Sequence, residues 1–398
     1  MNIRRQHLGL LAALALQGVI GGVLLVGEFT GPDATSYMDF VLAGQEPSYW
    51  LDTNAFQGNF FPMGYPAILT VVTALAGGST FPYEVLSILL GLSTTAIVFG
   101  LLRGHAGSIR VTAALAVAMC PSVLWMMQNN GYEMLLSSFI TASAYMVWRL
   151  RSGLTRLPKT LALSAGIMLG VAGLVQSKVL VLLPIYLVLL MRNRLHMVLM
   201  ALGSVVAPGL WGIRNFFVVG NPYPFSSNAG MGLWLGNNPF TVDGGVVASM
   251  PTKPPGTSSL AEAAIQFVVS QPEAAFTLFG RRVARLLSPT YLYREGLPPE
   301  LNTLLHWYVI AFVSAGVLLF AAFVFGRLWV RFPVQPDVTI IAVVVMAFFV
   351  IHFPFQSEPR YMTPVVPLAI AVVVPTAFAI ARRVGGRSLA LISHGKTS

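Results

Sequence analysis

The sequence predicts an all-α membrane protein with about ten transmembrane helices. Hydrophobic residues make up 56% of the 398 positions and charged residues only 10%, whereas soluble domains are about 25% charged. The mean hydropathy is +0.73. Apolar runs recur along the whole chain, and short connections rich in Arg and Lys separate many of them. We therefore treat residues 1–398 as one transmembrane domain.

The apolar runs define the predicted elements in order. They cover residues 8–26, 66–77, 84–102, 111–127, 133–150, 160–175, 177–192, 196–212, 303–326, 337–353 and 362–381. A helical crossing needs about 20 apolar residues, and Arg4 and Arg5 precede the first run, which places the N-terminus in the cytoplasm. Because this run is long and lacks a small-residue cleavage site, we expect it to be retained rather than removed as a signal peptide.

Basic connections decide which runs cross the membrane. They lie at residues 103–110, 149–159, 192–196, 327–331 and 382–387. All of them are cytoplasmic, as the positive-inside rule requires, only if one of the runs 66–77 and 84–102 does not cross. Run 66–77 is too short to span and is typical of an interfacial or re-entrant segment. The prediction is therefore ten crossings in the cell (inner) membrane.

This number of crossings puts the polar segments on one face of the membrane, the extracytoplasmic face. They are the first outer loop at 27–83, residues 128–133, the long outer loop at 213–302, and residues 354–361. Residues 27–66 contain no Lys or Arg but several acids, namely Glu28, Asp33, Asp39, Glu46 and Asp52. An acidic loop directly after a first membrane helix indicates the wall of a binding or reaction site, and we place Asp33 at its centre.

Ionisable residues lie where these outer polar segments meet the apolar runs. Glu133 and Lys178 stand at the beginnings of apolar runs, Arg214 stands at the end of one, and Arg360 precedes the last. Acids and bases that meet at one face of a membrane protein suggest a site for an anionic group. Simpler explanations remain open: the two arginines could snorkel to the interface, and Glu133 could be a first-turn acid favoured by the helix dipole.

The long outer loop divides into two parts. Residues 258–287 show apolar residues at helical spacing after a Ser cap with Glu262 in the first turn, which predicts amphipathic helices on the membrane surface. Residues 221–240 are rich in Gly, Asn and Pro and predict a non-helical loop. In this loop, amide groups such as those of Asn237 and Asn238 surround Trp234, a combination that suits a sugar. An ordinary structured loop would explain the composition equally well.

Several motifs, taken in order, resemble the GT-C superfamily of integral-membrane glycosyltransferases. They are DATSYMDFVLAG, FPMGYPAIL, GYEML, SKVLVLLP, WGIRN with NPYPFSSNAGMGLWLGNNP, and EPRYMTPVVP. Members of this superfamily use polyprenyl-phosphate-linked sugars. The nearest types are the protein O-mannosyltransferases and the aminoarabinose lipid A transferases.

The resemblance implies an inverting transfer in which Asp33, the acid of a D-x-x-x-Y pattern with Tyr37, is the catalytic base. Tyr37, Tyr65 and Tyr361 lie in the motifs and are expected to contact substrate. The implied partners are a polyprenyl-phosphate-linked sugar, an acceptor that is a glycan, glycolipid or protein, and membrane lipids. The chain departs from the mannosyltransferases at Ala34, where they have a second acid, and at Met63, where a second proline is usual.

The residue chemistry agrees with this expectation. A transfer from a lipid phosphate needs a base for the acceptor hydroxyl and cations for the leaving phosphate. We assign the phosphate to Lys178, Arg214 and Arg360. Glu133 would either orient the partner of Asp33 or share a cation with Asp33, and two carboxylates would favour Mg²⁺ or Mn²⁺ if a metal ion is bound.

The sequence fits two other classes of protein less well than a transferase. A transporter or flippase of lipid-linked sugars would place ionisable residues near the bilayer midplane and show repeated halves, whereas these runs have clean centres. The formal charge of +10 lies in short clusters between apolar runs, which is typical of topology signals and lipid contacts. We therefore expect no nucleic-acid partner.

Overall fold

The computed structural model confirms that the chain is helical. It describes residues 3–24, 34–53, 62–77, 79, 81–129, 131–226, 228–242, 256–288, 298–329 and 336–394. Within these ranges the regular elements are α-helices and short 3₁₀ segments, with no strands. The all-α prediction is therefore correct.

The helices follow the apolar runs closely. In chain order they are α1 (Ile3–Leu24), α2 (Ala34–Ala43), α3 (Gly64–Leu75), α4 (Phe81–Leu101), α5 (Gly107–Ala118), α6 (Pro121–Gln128), α7 (Glu133–Arg151), α8 (Pro158–Val175), α9 (Leu182–Leu190), α10 (Arg194–Val219), α11 (Ala229–Gly236), α12 (Leu260–Ser270), α13 (Pro272–Leu286), α14 (Pro299–Trp329), α15 (Pro336–Val350) and α16 (Val366–His394). Short 3₁₀ segments occupy Pro47–Leu51, Ser177–Val181 and Pro359–Val365.

Six helices of the described chain are long and apolar enough to cross a membrane, or seven if α5 and α6 form one span. These two helices meet at a bend of 44°. Pro121 begins α6 and has no backbone N–H to continue the hydrogen-bond ladder of α5, which explains the break. The chain is a multi-pass membrane protein, while the count of ten crossings stays a prediction that also needs α7, α9 and α15 to span.

Helix α7 is one of the predicted crossings that its hydropathy does not select. Its polar side chains Ser137, Ser138, Thr141 and Ser143 are buried, and Ser138 donates to the Met134 carbonyl oxygen at 3.0 Å. A helix at the centre of a bundle meets other helices rather than lipid, so it can carry hydroxyl groups that bond to backbone carbonyls. Its low hydropathy therefore reflects its central position.

Helices α8 and α10 pack unusually closely because small residues face each other. A Cβ atom on Gly166 would lie 2.1 Å from the carbonyl oxygen of Met200, and one on Gly203 would lie 2.4 Å from that of Leu163. Gly166 and Gly170 form a G-x-x-x-G pair on α8, the spacing that lets two membrane helices approach to backbone contact. This contact fixes the end of α8 that leads into Lys178.

The prediction of a non-helical loop at 221–240 is wrong, because α11 lies within it. The Gly232 carbonyl oxygen accepts from the backbone N–H of Gln356 at 2.7 Å, and a Cβ atom on Gly236 would lie 2.8 Å from that same nitrogen. The glycines that argue against a helix are thus needed for close contact with residues 354–356. The Ser cap is correct: Ser259 Oγ accepts from the Glu262 backbone N–H at 3.1 Å and begins α12.

Candidate active site

A cavity of about 400 Å³ brings together the polar segments that the sequence predicts on one face. Its wall includes Tyr37 of α2, Tyr132 before α7, Gly232 of α11 and Tyr361 of the 3₁₀ segment Pro359–Val365. Lys178 adds the segment between α8 and α9. Each of the four polar segments therefore contributes to one cavity.

Lys178 is the first cation of the cavity. The 3₁₀ segment Ser177–Val181 follows α8 and carries the Lys178 ammonium to 4.5 Å from the ring centroid of Phe355 and 5.0 Å from that of Tyr361. Aromatic faces stabilise a partly desolvated cation through their quadrupoles. The ammonium is thus held at the cavity wall by two rings.

Arg360 is the second cation. Its Nε lies 2.5 Å from Glu358 Oε2, and its Nη1 lies 3.7 Å from Glu133 Oε1. The Glu133 side chain is 1% exposed and that of Arg360 is 13% exposed. Among the described residues, Arg360 and Glu358 line the cavity and Glu133 does not. The structure therefore places Glu133 as a buried partner of Arg360.

Tyrosine rings form the side of the cavity next to the first outer loop. The Tyr37 ring packs edge-on against Tyr65 at 5.2 Å and against Tyr132 at 6.3 Å between centroids. Burial, with a further contribution from the Glu133 charge, raises the pKa of Tyr132, so its hydroxyl stays protonated at neutral pH. Asp33, the acid four residues before Tyr37, lies outside the described residues.

Arg214, the third predicted phosphate ligand, makes different contacts. Its guanidinium donates to the backbone carbonyl oxygens of Trp50 and Asp52, both at 2.8 Å. It also lies 4.7 Å from the centroid of the Trp211 ring. These contacts fasten the first outer loop to α10, and in the described chain Arg214 does not line the cavity.

Trp234, Asn237 and Asn238 hold α11 in place. Trp234 is 2% exposed and packs among apolar residues of α12 and α13 such as Phe267 and Leu278. The Asn237 amide donates to the carbonyl oxygens of Leu233 and Pro354, at 2.8 and 2.6 Å. The Asn238 amide donates to that of Trp234 at 2.8 Å. Their contacts in the structure are with the protein, and a contact with sugar remains a prediction.

Sequence reasoning did not single out several polar or aromatic residues of the cavity wall. Gln176, Phe355 and Glu358 are among them. For two of them the available signal was closeness in sequence to a cation, since Gln176 precedes Lys178 by two residues and Glu358 precedes Arg360 by two.

The predicted metal ion lacks a described ligand cluster. In the part of the chain that the structure describes, no group of three His, Cys, Asp or Glu residues is arranged to hold one. Glu133 lies within the described residues, and its carboxylate is paired with the Arg360 guanidinium at 3.7 Å. Asp33, the other proposed carboxylate, lies outside the described residues.

Two apolar cavities adjoin the elements that carry the cations. One cavity, of about 680 Å³, is lined in part by Leu180, which is near Lys178 in the chain, and by Phe225, which lies in the segment before α11. The other, of about 540 Å³, lies between α14, α15 and α16 and includes Pro359 and Met362, on either side of Arg360 and Tyr361. Each apolar cavity is thus lined in part by residues that are close in sequence to one of the two cations.

Comparison with known proteins finds one matching family model and several similar solved structures. Residues 61–210 match the family model described as dolichyl-phosphate-mannose-protein mannosyltransferase. The fold is similar to the crystal structure of ArnT from Cupriavidus metallidurans bound to undecaprenyl phosphate, with a TM-score of 0.56 and 16% identity over 98% of this chain. The chain spans 63% of the length of ArnT.

A weaker similarity is to AglB, the archaeal oligosaccharyltransferase from Archaeoglobus fulgidus, in complex with an inhibitory peptide and a dolichol-phosphate. Its TM-score is 0.47 at 13% identity, covering 97% of this chain and 52% of AglB. No curated protein sequence matches the chain. The family-model match and the fold shared with ArnT confirm the resemblance of this chain to the GT-C glycosyltransferases.

Proposed function

We propose that the protein is an inverting GT-C glycosyltransferase that moves a sugar from a polyprenyl-phosphate donor to an acceptor hydroxyl. The observation that carries the proposal is the presence of Lys178 and Arg360 on the wall of one cavity. The family-model match over residues 61–210 supports it.

The two cations would hold the leaving phosphate. The Lys178 ammonium is 5.0 Å and the Arg360 guanidinium carbon 5.6 Å from the centroid of the same Tyr361 ring. A phosphate bound beside this ring is within reach of both charges. Charge-assisted hydrogen bonds from Arg and a point charge from Lys stabilise the negative charge that grows as the sugar departs.

Asp33 would be the base. Helix α2 begins at Ala34 and carries Tyr37 to the cavity wall, which supports a role for the acid directly before that helix. The acceptor hydroxyl oxygen attacks the anomeric carbon as the bond from this carbon to the phosphate oxygen breaks. The hydroxyl proton passes to Asp33, and the polyprenyl phosphate leaves with the bonding electrons. These steps assign no role to a metal ion.

The lipid character of the donor fits the surroundings of the cavity. A polyprenyl tail needs apolar surroundings, and two apolar cavities are lined in part by chain neighbours of the cations, Leu180 in one and Pro359 and Met362 in the other. ArnT, which shares the fold, is bound to undecaprenyl phosphate. The positive-inside rule, applied to the basic connections of the sequence, supports an extracytoplasmic position for the cavity.

The test is a transfer assay with purified protein in liposomes. Mass spectrometry of co-purified lipids identifies the donor, and polyprenyl-phosphate mannose is the first synthetic donor to use because the matching family model names a mannosyl phosphate lipid. We expect sugar to appear on a glycan, glycolipid or protein acceptor with release of polyprenyl phosphate. Movement of intact donor across the membrane without cleavage would instead identify a flippase.

A further inference from the structure

Glu358 is an acid on the cavity wall that the proposed reaction does not use. Its Oε2 lies 2.5 Å from Arg360 Nε, and its Oε1 accepts from Gln356 Nε2 at 3.2 Å. Lys178 lines the same cavity as Glu358. Glu358 therefore pairs with one of the two cations that would hold a phosphate and shares the cavity wall with the other.

The two acids that contact Arg360 differ in their freedom to move. Glu133 is 1% exposed and Glu358 is 26% exposed. Breaking a fully buried ion pair is costly, whereas the partly exposed Glu358 carboxylate has room to rotate away from Arg360. The following Pro359 favours the extended backbone of Glu358, with φ −133° and ψ 148°, so that rotation needs no backbone change.

The charges on the cavity wall show why such movement matters. Among the described lining residues, Lys178 and Arg360 are cationic and Glu358 is anionic. A sugar diester of phosphate carries one negative charge, whereas the monoester product carries about 1.5 to 2 at pH 7. An acid in contact with Arg360 competes with either anion, and it repels the product more strongly than the donor.

We infer that Glu358 is a displaceable counter-ion: it occupies the place of the donor phosphate on Arg360 in the empty site, leaves when the donor binds, and promotes release of the polyprenyl phosphate product. This inference rests on the proposed function. It adds a residue that sets the balance between binding of donor and of product. It also explains how a site with two partly buried cations avoids retaining its own dianionic product.

The test is equilibrium binding of a short-chain polyprenyl phosphate to full-length purified protein with Glu358→Gln. We expect affinity for this monoester to rise about tenfold, the order of one close charge interaction, and affinity for the donor to rise less. In turnover, both KM and kcat should fall because the product leaves slowly. Glu358→Ala should show the same tightening, and Glu358→Asp, which keeps the charge, should restore weaker product binding.

Glu273→Gln on the exposed side of α13 is the matched control, since it removes an acid away from the cavity. Product affinity that is unchanged or weaker in both Glu358→Gln and Glu358→Ala would overturn the inference while leaving the proposed function standing. Failure of the parental protein to bind polyprenyl phosphate would overturn both.

Discussion

Arg360 Nη1 lies 3.7 Å from Glu133 Oε1, and this contact joins the 3₁₀ segment before the last helix to the first residue of α7. Because the Glu133 side chain is almost fully buried, the ion pair is shielded from solvent and constrains the position of the guanidinium. The cation at the cavity wall is thus oriented by an acid from the centre of the bundle.

Glu133→Gln should therefore destabilise the protein. Loss of one partner from a buried pair costs about 3–5 kcal/mol, and we expect about 2 kcal/mol here because Glu358 continues to balance Arg360. Thermal unfolding in detergent measures the effect. Glu273→Gln, an exposed acid, should leave the unfolding temperature unchanged; equal stability of both variants would contradict a structural role for the pair.

Neutralising either cavity cation should weaken donor binding. For Lys178→Gln and Arg360→Gln we expect losses on the order of 2–5 kcal/mol, as found when one partner of a buried charge pair is removed. Binding of polyprenyl-phosphate sugar to purified protein measures the loss. Arg281→Gln is the control, since Arg281 is an exposed cation that donates to the Val242 carbonyl oxygen. Parental affinity in both cavity variants would remove these residues from the phosphate site.

Arg214 offers a contrasting prediction, because its donors contact the carbonyl oxygens of Trp50 and Asp52. A lysine has no planar fork to reach both oxygens. Arg214→Lys should therefore speed amide hydrogen exchange in residues 47–53 and reduce donor affinity less than Lys178→Gln does. Unchanged exchange together with a large loss of donor affinity would instead support the phosphate role that the sequence suggests.

The sequence correctly predicts the apolar helices and the presence of Lys178 and Arg360 in one site. Both predictions follow from the cost of placing charge in a bilayer. It does not predict α11. This helix has only eight residues, and its Gly232 bonds to Gln356, more than a hundred positions away. Local composition cannot report such a contact.

The roles of Trp234 and Glu358 are also hidden in the sequence, for a related reason. An aromatic residue in a Gly- and Asn-rich loop has the same local pattern whether it stacks on a sugar or packs between helices. In the structure, α12 and α13 fold over Trp234 and bury it. Likewise, the partner of an acid in an SEPRY segment depends on which side chains meet it across the cavity.

The topology can be tested at helix α3. With 12 residues and a rise of 1.5 Å per residue, it is about 18 Å long, shorter than the hydrocarbon core of about 30 Å. Cysteines introduced at Asn54 and Ser79 should both react from outside with an impermeant thiol reagent. The background is Cys120→Ala, although Cys120 is buried. Reaction of the Ser79 cysteine only from the cytoplasmic side would mean that α3 crosses.

The proposed base makes the sharpest prediction. Asp33→Asn keeps the shape of the side chain but cannot accept the acceptor proton, so donor binding and the unfolding temperature should be retained. Single-turnover transfer should fall by about 10²–10⁴, the usual contribution of a positioned general base. Asp39→Asn is the matched control, because Asp39 is an exposed acid of the adjacent helix α2, and it should keep most of the activity.

Transfer at the parental rate by Asp33→Asn would place the base elsewhere. Glu133 would then be the next acid to test, although its contact with Arg360 disfavours proton uptake.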